Sequence, residues 1–282
     1  MAIGQLTDDV FGPIGIFDSG YGGLTILREI RGLMPQYDFM YLGDNARSPY
    51  GTRSFDVVYE FTLQAVRHLF SEGCHLVILA CNTASAKALR TIQQKDLPRL
   101  DPERRVLGVI RPTVEVVGSM SKTRHVGIMA TEGTIRSRTY ELEIAKQCPD
   151  IKVTGEACPM WVPLVENDEY DKPGADYFVR QGIESLFAKD PDIDSVILGC
   201  THYPLLIAKI RQYMPVGVNI IEQGRYVATS LEDYLGRHPE MEHRITRGGK
   251  ARFLTTERPE VFMQKATVFM GEELVAERVC LE

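Results

Sequence analysis

Short apolar runs rich in β-branched residues recur along the 282-residue chain and alternate with longer stretches of helical period. Ile14–Phe17, Phe39–Leu42, Leu76–Ala80, Val106–Ile110, Val126–Ala130, Lys152–Glu156, Ser195–Leu198 and Asn219–Ile221 read as strands. Near-continuous apolar runs belong to strands buried on both faces, the signature of parallel sheets with helices on either side. Helices are predicted over Gly23–Met34, Ser54–Glu72, Thr83–Lys95, Thr134–Gln147, Gly174–Ala188 and Tyr203–Tyr213. Pro35 stops the first, Ser54 and Asp56 open the second, Gly73 ends it, and Pro204 sits where a first-turn proline is tolerated. In the tail, Ala251–Thr255 and Ala266–Met270 read as two more strands that return to the first half.

The pattern repeats. Val77-Ile78-Leu79-Ala80-Cys81-Asn82-Thr83 is nearly copied by Val196-Ile197-Leu198-Gly199-Cys200-Thr201-His202, and Ile14-Gly15-Ile16-Phe17-Asp18-Ser19-Gly20 by the stretch from Val126 to Gly133. The expected architecture is two pseudo-symmetric α/β lobes, each a mainly parallel sheet flanked by helices, with the active site between them. Residues 1–105 with 220–282 form the expected first lobe and 106–219 the second, with Gln94–Arg105 as one crossing.

Both Cys81 and Cys200 then fall just past the carboxyl end of a strand and before a helix. In open α/β sheets ligands bind there, because the crevice lies beyond the strand ends and the next helix offers free N–H groups. A free thiol is mostly protonated at neutral pH, and a helix N-terminus or nearby charge shifts that balance. Two thiols on opposite faces of one carbon allow one to remove a proton while the other returns one to the far side, which is the logic of a racemase or epimerase. The alternative is two ordinary packed cysteines.

Other residues at the strand ends carry candidate chemistry. Asp18 caps a helix or poises a thiol, and His202 exchanges a proton with Cys200 or serves as a buried structural histidine. Asp44 follows the second strand; Tyr50 and Gly51 offer a phenol and a backbone N–H, or form a plain surface turn. Asn82, Thr83 and Thr201 are candidates to hold a carboxylate. Gly20-Tyr21-Gly22-Gly23 lacks both the Walker lysine and the G-x-G-x-x-G spacing, which disfavours a nucleotide.

A net charge of −6 and the lack of a basic block argue against nucleic acid as a partner. No apolar run reaches the ~20 residues of a membrane helix, no signal-peptide pattern opens the chain, and the six cysteines are spread out, so a reduced, cytoplasmic protein without a membrane partner is expected.

Taken together, Phe17-Asp18-Ser19-Gly20 with Gly22-Gly23-Leu24, Asp44 with Ser48-Pro49-Tyr50-Gly51, Cys81-Asn82-Thr83-Ala84-Ser85 and Gly199-Cys200-Thr201-His202-Tyr203-Pro204-Leu205 resemble the glutamate racemases of the aspartate/glutamate racemase superfamily over nearly the whole chain. The resemblance implies interconversion of L- and D-glutamate by two bases, without cofactor or metal, supplying D-glutamate for peptidoglycan. It implies that Cys81 deprotonates D-glutamate with Asp18 and Asp44 assisting, and that Cys200 deprotonates L-glutamate with Glu166 and His202 assisting. Ser19, Tyr50, Gly51, Asn82, Thr83, Thr131, Thr134 and Thr201 match positions that hold the substrate's polar groups. Two departures stand out: Tyr21 is bulkier than the usual residue of the glycine turn, and Ile221-Glu222-Gln223-Gly224 replaces an aspartate-led turn. About a dozen residues precede the first strand, which by this resemblance implies no activation by UDP-N-acetylmuramoyl-L-alanine. A small-molecule substrate is the expected partner, and assembly as a homodimer is left open. The competing readings are aspartate racemisation on the same scaffold and a non-catalytic amino-acid-binding module.

Overall fold

A computed structural model describes residues 11–282, so the segment on which the activator expectation rests lies mostly outside the described residues. Among the described residues ten strands form two sheets: β1 (Ile14–Asp18), β2 (Phe39–Gly43), β3 (Leu76–Leu79), β4 (Arg105–Gly108), β9 (Ala251–Thr255) and β10 (Ala276–Arg278) in one, and β5 (His125–Ala130), β6 (Lys152–Ala157), β7 (Ser195–Gly199) and β8 (Asn219–Ile221) in the other. Every pairing is parallel. The orders are β10-β9-β2-β1-β3-β4 and β6-β5-β7-β8.

The internal repeat is visible in those orders: β2-β1-β3-β4 and β6-β5-β7-β8 are the same arrangement. β1, β2, β3 and β7 are buried at every position, as their unbroken apolar runs require. Phe17 pairs with Leu79, and Ala130 with Gly199, so Asp18 and Cys81 leave one sheet side by side, as Thr131 and Cys200 leave the other. Each cysteine therefore lies beyond the carboxyl ends of the central strands of its sheet.

The structure corrects five expectations. The crossing does not lie in Gln94–Arg105, because β4 still pairs with β3; the helix Ile110–Met120 makes the passage, and Ile110 belongs to it rather than to a strand. Ala266–Met270 is the end of a helix, Pro259–Met270, stopped by Gly271 at φ 75°. The edge strand lies further on, at Ala276–Arg278, paired with β9. Thr134–Gln147 is two helices, broken at Arg138, whose φ of 55° no continuous helix accommodates. Thr83–Lys95 is likewise divided, into Asn82–Lys87, Leu89–Thr91 and a wider-wound segment from Ile92 to Asp96. In β1, β2, β3 and β7 burial on both faces fixed the residue types that made the strands readable; the short Ala-Thr-Val-Phe-Met run misled because tertiary packing of an amphipathic helix overrides local β preference.

The return from the second sheet to the first runs through the helix Gln223–Arg237, which packs against Gly23–Leu33 and Ile110–Met120. No helix among the described residues is long and apolar enough to cross a membrane.

Candidate active site

The two sets of strand ends face one another across a small cavity of about 100 Å³. Ser19, Tyr50, Gly51, Cys81, Asn82 and Thr83 line it from one side, and Thr131, Cys200, Thr201 and His202 from the other. Asp18, Asp44, Thr134 and Glu166 stand behind this wall and not on it. Cavity-lining Ser48, Glu132, Cys158 and Val162 were missed in the sequence. Cys158 follows the end of β6, and the rule that drew attention to Cys81 would have found it too.

Local structure explains the placement of Cys81. It is the N-cap of Asn82–Lys87, with extended φ and ψ, and its sulfur accepts from Ala84 N–H at 3.5 Å. The thiol also bonds Ser19 Oγ at 3.4 Å. Burial, reinforced by the charge of Asp18, pushes this thiol up to about 12 against the help of Ser19 and Ala84. Cys81 is therefore held as a thiol, ready to give a proton.

Cys200 has a different neighbourhood. His202 Nδ1 lies 3.9 Å from its sulfur, and His202 Nε2 lies 3.2 Å from Glu166 Oε1. Burial alone would lower the imidazole, but its bonds to Cys200 and Glu166 outweigh burial and carry it up to about 10. Glu166 is moved the opposite way: burial opposes ionisation, yet His202, Lys265 and Ser48 hold the carboxyl below its usual range. The sulfur of Cys200 thus faces an imidazolium whose charge is anchored by the Glu166 carboxylate.

Asp18 bridges the two sides. It accepts from Gly20 N–H at 2.9 Å and from the Thr201 hydroxyl at 3.4 Å. Burial raises its carboxyl above the ordinary value, against the lowering charge of His202 and these donors. Asp44, fully buried, is spoken for otherwise: Arg47 Nε donates to both its oxygens at 2.7 and 3.0 Å, Thr256 donates at 2.9 Å, and the Tyr50 hydroxyl donates to Oδ2. Its geometry is that of an anchor for Tyr50.

Two glycines make the close approach possible. A Cβ on Gly22 would lie 2.2 Å from Thr201 Oγ1 and 2.6 Å from His202 Nδ1. One on Gly51 would lie 2.9 Å from Thr131 Cβ. Gly51 also accepts from Gly133 N–H at 2.8 Å, and Thr83, Thr131 and Thr134 place three hydroxyls within 3.0 to 3.4 Å of one another. Tyr21, the bulky departure in the glycine turn, is stacked between Phe262 and Phe269, and Phe269 packs edge-on against His202. Its size is absorbed by the returning C-terminal helix rather than by the cavity.

Among the described residues, one group could offer a metal three ligands, His125, Asp190 and Asp192, but Lys152 and Thr154 already bond Asp190 at 3.1 Å and the group lies off the cavity. It reads as a structural ion pair.

The chain and its structure are similar to those of known proteins. The chain is 42% identical over 267 residues, 91% of its length and 96% of the relative's, to a glutamate racemase of Paracoccus denitrificans. Its structure is similar to that of a glutamate racemase from Bacillus anthracis, with a TM-score of 0.87, 33% identity and coverage of 96% and 98% of the two chains. It is similar as well to a glutamate racemase from Francisella tularensis solved with D-glutamate, with a TM-score of 0.86, 31% identity and coverage of 97% and 99%. The family model for Asp/Glu/hydantoin racemases matches residues 25–230, a span that takes in both cysteines, the whole of the second sheet and three of the six strands of the first. With the paired strand-end thiols, the repeated sheet order and this match, the chain belongs to the Asp/Glu/hydantoin racemase family.

Proposed function

We propose that the protein is a glutamate racemase, an isomerase that interconverts L- and D-glutamate by proton transfer between two thiols and so supplies D-glutamate for peptidoglycan. The single observation that carries this reading is that Cys81 and Cys200, from the matching strand ends of two sheets, line one small cavity. The relatives of similar length named glutamate racemase favour glutamate over aspartate as the substrate.

In the direction from L-glutamate, Cys200 as thiolate takes the α-proton while His202, kept cationic by Glu166, stabilises the charge. Cys81, held as a thiol, delivers its proton to the opposite face of the planar carbanion. The reverse reaction begins at Cys81, and Asp18 is the buried group whose raised carboxyl suits it to receive the thiol proton. Every proton moves between protein side chains and substrate. Ser19, Asn82, Thr83, Thr131 and Thr201 offer hydroxyl or amide groups to the two carboxylates, with Thr134 bracing Thr131 and Thr83. Asp44 supports the Cys81 side through Tyr50.

On this reading two bodies enclose the substrate, divided near the expected boundaries at 105/106 and 219/220 but shifted by the strand pairings, so that β4 (Arg105–Gly108) stays with the first and β8 (Asn219–Ile221) with the second. Cys81→Ser and Cys200→Ser test the scheme. Each is expected to abolish racemisation of both enantiomers, and normal turnover by either variant contradicts it.

A further inference from the structure

Asn82, the residue after Cys81, closes a ring of three hydrogen bonds with Tyr140 and Gln223. Tyr140 Oη–H donates to Asn82 Oδ1 at 2.7 Å, Asn82 Nδ2–H donates to Gln223 Oε1 at 2.6 Å, and Gln223 Nε2–H donates to Tyr140 Oη at 2.8 Å. All three residues are buried, and Tyr140 and Gln223 lie off the cavity wall that Asn82 helps to form.

The direction of the ring is set from outside it. The Val109 carbonyl can only accept, and it lies 3.4 Å from Gln223 Nε2. Thr113, whose hydroxyl donates to that same carbonyl at 2.9 Å, accepts from Nε2 at 3.0 Å. The nitrogen of Gln223 must therefore face Val109 and Thr113, and its oxygen must face Asn82. The nitrogen of Asn82 meets that oxygen, and the carbonyl of Asn82 turns to Tyr140. Burial raises the Tyr140 phenol above its ordinary value, so it remains a donor.

An amide nitrogen carries two protons, and the ring uses one of those on Asn82. We infer that Gln223 is a positioning residue for substrate binding: through the polarised ring it fixes the Asn82 amide with its second N–H, and not its carbonyl, available to an anionic oxygen of the substrate. This rests on reading the cavity as the amino-acid site. The ring also ties together helices distant in sequence. Gln223 opens Gln223–Arg237, Thr113 lies in Ile110–Met120, Tyr140 in Thr139–Gln147 and Asn82 in Asn82–Lys87. A position where this chain departs from the aspartate-led turn thereby acts on the site without touching it.

The test is steady-state racemisation from both enantiomers, with D-glutamate affinity measured by calorimetry on the same proteins. Gln223→Glu keeps the size but replaces the donor with an acceptor, which reverses the demand on Tyr140 and frees the Asn82 amide to turn. It is expected to raise KM for both enantiomers about tenfold with kcat within about twofold, the pattern of lost uniform binding. In an Asn82→Ala background the same substitution should add nothing to KM. If Gln223→Glu fails to fold by circular dichroism, Tyr140→Phe breaks the ring while keeping the aromatic packing and should raise KM similarly. Unchanged KM in a folded ring variant overturns the inference, as does a full KM effect that persists without Asn82. Should the parent protein not turn over glutamate, the racemase reading fails by itself; the ring is then judged by D-glutamate affinity, which must weaken about tenfold in the variant for the inference to stand.

Discussion

Glu166 Oε1 and His202 Nε2 stand 3.2 Å apart on the far side of the imidazole from Cys200. The three groups form a line in which a carboxylate holds a proton on the ring and the ring faces the sulfur. Glu166 contributes without touching the cavity.

Glu166→Gln removes the negative end of that line. Because the bonds to Cys200 and Glu166 raise His202 to about 10, losing one lowers it, and the imidazolium is lost at a lower pH. The expected result is a fall of about 10²-fold in kcat/KM for L-glutamate, within the usual range for acid–base partners, and an alkaline limb displaced to lower pH. A pH profile of kcat/KM checks both.

The same pair bears on stability. A histidine raised in the folded state contributes stability that is fully present below its unfolded value of about 6.5 and is lost as pH rises towards its folded value of about 10. Denaturant unfolding of the parent and of His202→Gln should therefore differ most at pH 6 and converge towards pH 10. A constant difference across that interval contradicts the assignment.

Cys81 is held as a thiol by burial and by Asp18. Its alkylation by iodoacetamide, followed on the Cys81 peptide by mass spectrometry, should be slow at pH 8 and keep rising through pH 10 without a plateau. Asp18→Asn removes the like charge and should speed alkylation at every pH in that interval.

Gly51 is expected to tolerate no side chain. Gly51→Ala would put a methyl 2.9 Å from Thr131 Cβ and strain the bond from Gly133, so the wall cannot close as it does. KM should rise for both enantiomers together, with little effect on the melting temperature; a change confined to one enantiomer would point to a different role for this contact.

How much of this was legible in the chain follows from which forces act locally. The runs before Cys81 and Cys200 were readable because strands buried on both faces admit little but apolar and β-branched residues, and the duplicated turns marked the strand ends. The helix Pro259–Met270 was hidden behind Ala-Thr-Val-Phe-Met, although Pro259 at its start and Gly271 at its end were both in view. Glu166 could be reached only through the family resemblance. Nothing local marks a glutamate that approaches His202 from a helix 36 positions earlier. Gln223 is harder still, since its bond to Asn82 spans 141 positions and depends on where four helices meet.

The central claim is that two thiols work on opposite faces of one carbon, and hydrogen exchange at that carbon tests it most directly. Each enantiomer of glutamate is incubated in D2O, and α-deuterium is followed in substrate and product at early conversion. The account predicts deuterium in the newly formed enantiomer from either direction, delivered by the thiol on the far face, while the unreacted substrate remains largely protiated. Product that forms without α-deuterium, or substrate that gains deuterium as fast as product, would contradict it.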